Sequence, residues 1–510
     1  MLAKCIMIQG TSSHAGKSFL TAGLCRLLYR EGFKVAPFKS QNMALNSYVT
    51  RDGLEIGRAQ GVQAEAAGVA ATVEMNPILL KPKEDMVAQV VVMGKPLADM
   101  SARDYRERYI PQGLKVVNKA LESLRQTYDV IVIEGAGSPA EINLRDRDIV
   151  NMKIAELAEA PVIIVGDIDR GGVFASIVGT MELLTPGERS RVAGFVINKF
   201  RGDPSLLTPA LDFLETRTGL PVLGVIPWMV DPGIEEEDSV SLHDRKDRPA
   251  GENQLDIAVI RLPRISNYTD FAPLEAEPDV SLRYVSERNR LGFPDAVILP
   301  GTKNTTSDLQ FLYHSGLAQA IRRLCLEGVP VAGICGGFQM LGDALHDPLG
   351  TESSQLVNCT GLGLLPLETT FNQEKLTRQV QARVSNHEFW GQLTGMELEG
   401  YEIRHGRSEM QKEMPSIVVS GSEQDIIGAA SLELPVFGTY LHDVFSNDTF
   451  RRYWLNDLRR RKGLSISEDD DPAGISTKAR REESYDRLAE VLKEHLDMDR
   501  LYHIMGVTRP

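Results

Sequence analysis

Short runs of β-branched and other apolar residues recur along the chain, and segments with helical spacing separate them. In the first 230 residues these runs are KCIMIQ, VAPFKS, VIVIEG, VIIVGD and GFVINK. Apolar runs without polar alternation predict strands buried on both faces, as in a parallel sheet with helical crossovers. The pattern therefore predicts a doubly wound α/β domain with ligands at the carboxyl ends of its strands.

The same alternation resumes in DIAVIRL, DAVILPG and PVAGIC, which follow a charged segment with glycine, proline and no apolar periodicity. Such a segment is typical of a linker. We predict two α/β domains at 1–230 and 251–447, a linker at 231–250 and a helical C-terminal extension at 448–510. The charge pattern of the extension favours a solvated surface over docking against a domain.

Composition narrows the class of protein. A chain of 510 residues is too long for one core, and 42% hydrophobic with 25% charged residues is ordinary for a soluble protein. A net charge of -14 repels nucleic acid and anionic membranes, so we expect neither as a partner. Five cysteines without a close pair indicate neither disulfides nor zinc, and favour a reducing cytoplasm. The oligomeric state stays open.

A glycine-rich loop, GTSSHAGKS, lies between the first predicted strand and the first predicted helix. There the backbone from Gly10 and Thr11 to Gly16 can surround a phosphate, Lys17 can reach its outer oxygens, and Ser18 can bind Mg²⁺. A glycine turn can occur without nucleotide, but packing alone does not explain the Lys-Ser pair. We therefore predict an ATP site.

Acidic and polar residues follow other predicted strands at the same sheet edge. Glu134 and Asp167 are alternative magnesium ligands, because each ends a hydrophobic strand. Polar loop residues usually do no chemistry, yet four of them could face a second substrate: Lys39, Gln41, Asn42 and Asp146.

The glycine loop resembles that of dethiobiotin synthetase and its relatives, where five residues also separate the two glycines. Ser18 takes the place of threonine in their G-T-x-x-x-x-G-K-T/S pattern. The EGAG sequence at Glu134 matches their strand end, which favours Glu134 over Asp167 as the Mg²⁺ ligand. The resemblance also implies that Asn198, in VINKF, recognises the base. Motors, partitioning ATPases and carboxylate-phosphorylating ligases all remain open at this point.

The segment PVAGICGGFQMLG puts Cys335 between a predicted buried strand and a helix, in the pattern G-x-C-x-G-x-Q. Small neighbours permit the sharp turn of a nucleophile elbow, and the following helix N-terminus favours the thiolate. The backbone N–H groups of Gly336 and of Gly301, in ILPGTKNT, could stabilise an oxyanion. A lone cysteine is usually a small buried hydrophobe, but the glycines and Gln339 favour a nucleophile here.

A thiol nucleophile needs a base, and two histidines are candidates. His442 follows the short predicted strand PVFGTY and is the first choice. His405, in YEIRHGRS, is the second, with a structural or substrate-lining role as its alternative.

The Cys335 segment and the G-x-Y-x-H ending at His442 resemble the class I glutamine amidotransferases, which have a flavodoxin-like sheet. The resemblance implies that the cysteine attacks the side-chain amide of L-glutamine, the histidine transfers the proton and ammonia leaves. The family commonly has glutamate two residues after the histidine, whereas Val444 stands here. The branch that makes cobalamin precursors lacks that glutamate. The departure therefore narrows the assignment and leaves the third member of the site open.

Together, QGTSSHAGKS, PFKSQNMALNSYVT, EGAGSPAEINL, ICGGFQMLG and GTYLHDVF are similar to the cobyric acid synthase family over essentially the whole chain. The resemblance implies an ATP-, Mg²⁺- and glutamine-dependent amide ligase acting through an acyl phosphate. Its substrate would be adenosylcobyrinic acid a,c-diamide, amidated at the b, d, e and g carboxylates to adenosylcobyric acid. The order of the amidations, the corrin-binding residues and the route of ammonia stay open.

Three alternatives remain. CTP synthase has the same domain order but carries the glutamate after its histidine. Cobyrinic acid a,c-diamide synthase modifies fewer carboxylates, and SQNMALNSYVT argues against it. A ParA- or MinD-like partitioning ATPase would explain the glycine loop but not GICGGFQ, and it would need a DNA- or membrane-binding surface that the acidic charge does not favour.

Overall fold

The computed structural model describes residues 2–84, 86–229, 233–234, 251, 253–353, 357–466 and 476–509. The strands in these ranges are β1 (Lys4–Gly10), β2 (Val35–Phe38), β3 (Gln41–Met43), β4 (Ser47–Val49), β5 (Glu55–Gly57), β6 (Ile78–Glu84), β7 (Val87–Val92), β8 (Lys95–Ser101), β9 (Val130–Glu134), β10 (Val162–Asp167), β11 (Val192–Phe200), β12 (Val222–Pro227), β13 (Leu255–Ile260), β14 (Val280–Val285), β15 (Ala296–Leu299), β16 (Val331–Ile334), β17 (Ala344–Asp347), β18 (Val357–Thr360), β19 (Leu367–Val384), β20 (Glu397–Met410), β21 (Ser416–Val419), β22 (Ser422–Ala430) and β23 (Val436–Thr439).

The α-helices in these ranges are α1 (Lys17–Arg30), α2 (Arg58–Ala66), α3 (Ala102–Asp104), α4 (Ile110–Thr127), α5 (Met152–Ala158), α6 (Val173–Leu183), α7 (Pro186–Arg189), α8 (Thr208–Thr218), α9 (Ala272–Glu275), α10 (Arg288–Leu291), α11 (Thr305–His314), α12 (Leu317–Leu326), α13 (Gly336–Leu341), α14 (Asp448–Lys462), α15 (Thr477–His495) and α16 (Met498–Met505). Short 3-10 segments lie at Val73–Met75, Ile142–Arg147, Pro204–Leu207, Tyr268–Phe271, Glu388–Leu393 and Val444–Ser446, and a π turn at Tyr105–Tyr109. Within the described ranges, no helix is both long and apolar enough to cross a bilayer.

The chain divides into two compact units. The N-terminal unit comprises residues 1–44, 54–237 and 479–510, and the C-terminal unit comprises 45–53 and 238–478. Of the predicted linker at 231–250, only Gly233 and Ile234 belong to the described residues. The domain boundaries given above stay a prediction.

The main sheet of the N-terminal unit is parallel, with strand order β12-β11-β10-β1-β9-β2. It contains all five apolar runs that the sequence indicated as strands, and β1 and β9 are almost wholly buried. The predicted α/β class is therefore confirmed. Because the strands are parallel, the glycine loop after β1 and Glu134 at the end of β9 share one sheet edge. A second, mixed sheet of β3, β6, β7 and β8 was not predicted.

The sheet of the C-terminal unit is parallel over β14-β13-β15-β16-β23 and continues through β22, β21, β19, β17 and β18, with β20 beside β19. Its parallel part contains the predicted runs after residue 250. The long antiparallel pair β19–β20 was not predicted. Cys335 follows β16 and His442 follows β23, which are neighbouring parallel strands. Both side chains therefore lie at one sheet edge.

The prediction of a solvated surface for the C-terminal helices was wrong. Leu488, Leu492 and Tyr502 are buried in the core of the N-terminal unit together with residues of α1. At Gly23, in α1, an added Cβ would lie 2.4 Å from Cδ1 of Leu492, so glycine permits the close approach of α15. The charged residues of α15 dominate its sequence, but its buried residues recur at helical spacing along one stripe.

Candidate active sites

The glycine loop after β1 is held by contacts within the N-terminal unit. Thr11 N donates to Val165 O at 3.0 Å, and Gly16 is the N-cap of α1 with φ 100°. A side chain on Gly16 would lie 2.0 Å from Nδ2 of Asn198, so this position requires glycine. A side chain on Gly10 would crowd Ser12 O at 2.9 Å. The two glycines thus allow the tight path of the loop.

Lys17 and Ser18 open α1, as the motif predicts. The Lys17 ammonium donates to Ser12 O at 2.9 Å and to Gly137 O at 3.0 Å, so it bridges the glycine loop and the loop after β9. The Ser18 hydroxyl donates to Oε1 of Glu134 at 2.8 Å. The structure therefore brings the predicted Mg²⁺ ligands Ser18 and Glu134 into direct contact.

Glu134 is a buried carboxylate with three polar partners. Lys39 Nζ lies 3.0 Å from its Oε1, and Gln63 Nε2 donates to its Oε2 at 2.5 Å, in addition to the Ser18 contact. Burial raises the pKa of Glu134, but the Lys39 charge and the hydrogen bonds from Gln63 and Ser18 more than offset it and lower the pKa overall. The carboxylate is therefore ionised at neutral pH. Gln63, on α2, carried no sequence signal.

A hydroxyl and an ionised carboxylate are the oxygen donors that Mg²⁺ takes. Among the residues that the structure describes, no cluster of three or more His, Cys, Asp or Glu side chains suits a metal ion. Two protein ligands supplemented by nucleotide phosphates and water match the usual coordination of Mg²⁺ in nucleotide sites. The other predicted ligand, Asp167, forms an ion pair with Lys199 at 2.9 Å.

The remaining predicted residues of this unit differ in their surroundings. Asn198 is buried, and its Nδ2 donates to Ala15 O at 3.0 Å, so it supports the glycine loop. Gln41 accepts a short hydrogen bond from Tyr105, and Asn42 donates to Gln60. Asp146, by contrast, lies on an exposed segment beside two arginines, Arg106 and Arg147.

Cys335 forms a strained turn between β16 and α13. Its backbone has φ 50° and ψ −105°, and it is the N-cap of α13. Such a conformation in a non-glycine residue is costly and marks functional turns. A side chain on Gly337 would lie 2.0 Å from Leu299 O, so the flanking glycine lets the turn pass close to β15. The predicted nucleophile elbow is present in the backbone.

The imidazole of His442 lies close to the thiol and is completely buried. Cys335 Sγ lies 3.5 Å from the backbone oxygen of Ile403 on β20, and the ring of Tyr401 on the same strand stacks on His442 with centroids 5.0 Å apart. His405, the second choice, is instead partly exposed on β20 and contacts Asn372 O. The geometry favours His442 as the base.

The partner of His442 stayed open in the sequence, because Val444 stands where the family commonly has glutamate. In the structure Asp270 contacts the histidine instead. Its Oδ2 lies 2.7 Å from Nδ1 of His442, and both side chains are about 1% exposed. Its Oδ1 accepts the backbone N–H of Asp443 at 3.1 Å. Sequence reasoning missed Asp270, because it precedes His442 by 172 residues. The only available signal was an acid in the loop region after the predicted strand DIAVIRL, at a sheet edge.

The Asp270–His442 pair has unusual proton affinity. Burial lowers the pKa of His442, but the charges of Asp270 and Cys335 more than offset that effect and raise the pKa to about 10. For the carboxyl of Asp270 burial acts in the opposite direction and raises the pKa, although the contact with His442 opposes the rise. The ring is thereby suited to accept a proton from a thiol.

The Gly301–Thr302 turn after β15 lies beside both reacting groups. A Cβ on Gly301 would lie 3.2 Å from Cε1 of His442, and a Cβ on Gly336 would lie 3.2 Å from Thr302 N. Gly336 opens α13, so its N–H belongs to the unbonded first turn of that helix. Gln339 is buried, accepts from Thr305 Oγ1 and donates to Tyr440. This part of the site therefore contains backbone N–H donors and the Gln339 side chain, which hydrogen bonds to Thr305 and Tyr440 hold in place.

Comparison with known proteins finds a matching family for each half of the chain. The family described as CobQ/CobB/MinD/ParA nucleotide binding domain matches residues 6–239, and the CobB/CobQ-like glutamine amidotransferase domain matches 256–450. The chain is 56% identical to "Cobyric acid synthase" of Desulforamulus reducens over 512 residues, covering 99% of each chain. It is 51% identical to the same-named protein of Dehalococcoides mccartyi strain 195, again over 99% of each, and 50% identical to that of Geobacillus kaustophilus, over 98% of this chain and 97% of the relative.

These matches span both units and confirm the predicted amide-forming ligase with a glutamine amidotransferase domain. The chain belongs to the cobyric acid synthase family.

Proposed function

We propose that this chain amidates the b, d, e and g carboxylates of adenosylcobyrinic acid a,c-diamide, giving adenosylcobyric acid, with ATP and L-glutamine as co-substrates. The names of its full-length relatives support this substrate. The single observation that carries the nitrogen-supplying half is the buried contact of His442 Nδ1 with Asp270 at 2.7 Å, beside the strained Cys335.

In the glutaminase half, His442 takes the thiol proton and the Cys335 thiolate attacks the side-chain carbonyl of glutamine. Asp270 accepts the Nδ1–H bond and stabilises the imidazolium. The N–H groups of Gly336 and Gly301 stabilise the tetrahedral oxyanion. His442 then returns the proton to the leaving nitrogen, which departs as ammonia. Water hydrolyses the thioester that remains, and glutamate is released.

In the synthetase half, the glycine loop binds the phosphates of ATP, and Lys17 balances the charge of the transferred phosphoryl group. The substrate carboxylate attacks the γ-phosphorus, which gives an acyl phosphate and ADP. Ammonia attacks the acyl carbon and inorganic phosphate leaves, because phosphate is a far better leaving group than hydroxide. Ser18 and Glu134 would hold a Mg²⁺ ion, which would neutralise phosphate charge when bound.

The other polar residues of this unit would contact the phosphates, the base or the corrinoid. Lys39 would stabilise negative charge near the phosphates, because its ammonium already lies against Glu134. Asn198 would fix the loop and the base, and Gln41 and Asn42 would line the corrinoid site. Asp146, being exposed, is the least supported substrate contact.

The test is the nitrogen source of the Cys335→Ala variant. We expect it to lose glutamine-dependent amidation and to keep ATP-dependent amidation with free ammonia, whereas Cys359→Ala, another free thiol in the same unit, should keep both. Mass spectrometry of the corrinoid should show four successive losses of one mass unit with the wild-type protein. Full glutamine activity in Cys335→Ala would refute the nucleophile, and one or two mass steps would favour a,c-diamide formation.

A further inference from the structure

Residues 45–53 belong to the C-terminal unit although the chain on both sides of them belongs to the N-terminal unit. Within the C-terminal unit, Ser47 N donates to Oδ1 of Asn267 at 2.8 Å, and Tyr268 N donates to Oδ1 of Asn46 at 3.2 Å. Gln379 Nε2 donates to Val49 O at 2.9 Å. This segment, residues 45–53, is thus bonded directly to the loop that precedes Asp270.

The same segment packs on the strand beside the reacting groups. Val49 forms a small buried cluster with Tyr401 and Ile403 of β20. Tyr401 stacks on His442, and Ile403 O lies 3.5 Å from Cys335 Sγ. Val49 therefore contacts one residue that touches the base, His442, and one that touches the nucleophile, Cys335.

Asn267 connects the segment to His442. It is 3% exposed and has a left-handed backbone, with φ 51° and ψ 37°. Its Nδ2 lies 3.3 Å from Nε2 of His442. Because its Oδ1 accepts the Ser47 N–H, the amide is oriented with its NH₂ group towards the imidazole.

That orientation opposes the proton transfer. With Nδ1 bonded to Asp270, Nε2 is the nitrogen that must take the thiol proton. An amide NH₂ can only donate, so it occupies the Nε2 lone pair and repels an Nε2–H in the imidazolium form. A rotated amide would present Oδ1 instead, which accepts from Nε2–H and stabilises the imidazolium.

We propose that Asn267 is a positioning residue that restrains His442, and that the backbone N–H of Ser47 holds it in the restraining orientation. Displacement of residues 45–53 frees the amide to rotate and raises the rate of glutamine hydrolysis. The chain places this segment directly after Lys39, Gln41 and Asn42, so substrate binding at those residues could pull on it. The inference rests on the proposed roles of Cys335 and His442.

The test measures glutamate release without ATP or corrinoid. We expect Asn267→Ala to raise kcat for this reaction about tenfold, the effect of one lost hydrogen bond, with little change in the KM for glutamine. The rate at which iodoacetamide alkylates Cys335 should rise by a similar factor in the Asn267→Ala variant. Asn358→Ala, which removes an asparagine–histidine contact elsewhere in the unit, should leave the rate unchanged.

A second pair of variants isolates the Ser47 donor. Ser47→Pro lacks the backbone N–H and should hydrolyse glutamine about fivefold faster or more than Ser47→Ala, which keeps it. The thermal unfolding of each variant, compared with that of the wild-type protein, reports whether both units fold. An unchanged or lower kcat in Asn267→Ala with wild-type unfolding overturns the proposal. If Asn267→Ala does not fold, equal rates in the two Ser47 variants overturn it. If Cys335 were not the nucleophile, Cys335→Ala would still hydrolyse glutamine. Failure of the proposed function is therefore distinguished from failure of the inference about Asn267.

Discussion

Replacing Asp270 by asparagine tests the buried triad most directly. The amide has nearly the same volume as the carboxylate, so it should fit the site without repacking. It removes the charge that faces His442 Nδ1 at 2.7 Å, and its NH₂ group can donate to Nδ1 and favour the wrong tautomer. We therefore expect a loss of glutamine hydrolysis with little loss of fold.

The size of the loss follows from the proton affinity of His442. The Asp270 and Cys335 charges raise its pKa from 6.5 to about 10 against the effect of burial, which corresponds to ~5 kcal/mol in favour of the protonated ring. Asp270 is the larger of these two contributions. Assigning it ~3 kcal/mol of transition-state stabilisation predicts a kcat/KM for glutamine that is lower by about 10²-fold.

The assay compares glutamate release with amidation from free ammonia, which should be unchanged because it bypasses the thiol. Asp256→Asn is the matched control, since that carboxylate is paired with Arg283 at the opposite end of β13. Its glutamine hydrolysis should stay within about twofold of wild type. A loss of less than about threefold in Asp270→Asn, with Cys335→Ala inactive on glutamine, would show that the carboxylate does not assist the base.

Three further outcomes follow from the structure. Lys17→Ala should lower amidation by about 10²-fold or more with either nitrogen source, because it removes charge at the phosphates; corrinoid mass spectrometry measures it. Burial raises the pKa of Asp308 from 3.8 to about 7, so its favourable contribution is complete below about pH 4 and is lost as the pH rises to 7. Urea unfolding should therefore show Asp308→Asn gaining ~3 kcal/mol relative to wild type between pH 5 and 8, and a constant difference would contradict this. Gly23→Ala should lower the unfolding temperature through a cost of ~1–3 kcal/mol against α15, whereas Gly179→Ala, a helical glycine with open space, should be neutral or stabilising.

The sequence predicted those features that local patterns determine. Buried parallel strands are continuous apolar runs, and the elbow at Cys335 needs small neighbours, so both are visible in short windows of sequence. The Ser18–Glu134 contact also follows from parallel topology, because Glu134 ends β9 and Ser18 follows the carboxyl end of the neighbouring strand β1.

Other features depend on distant contacts that leave no periodic signal. Asp270 gains its role only because the loop after β13 folds against the turn after β23. The stripe of Leu488 and Leu492 is short beside the charged residues of α15, so charge dominated the sequence pattern. The β6–β7, β7–β8 and β19–β20 pairs are antiparallel, and β19 alternates buried and exposed residues only near its two ends, so these strands are not continuous apolar runs.

The N-terminal unit includes residues 479–510, which are synthesised long after the rest of that unit, and this affects how it folds on the ribosome. Its core includes Leu488 and Leu492, so α1 lacks part of its covering until residues 479–510 have left the ribosome. The C-terminal unit, whose last residue is 478, can complete its own core earlier. Nascent chains that stall before residue 479 should therefore expose the apolar face of α1 and become clients of chaperones that recognise such surfaces.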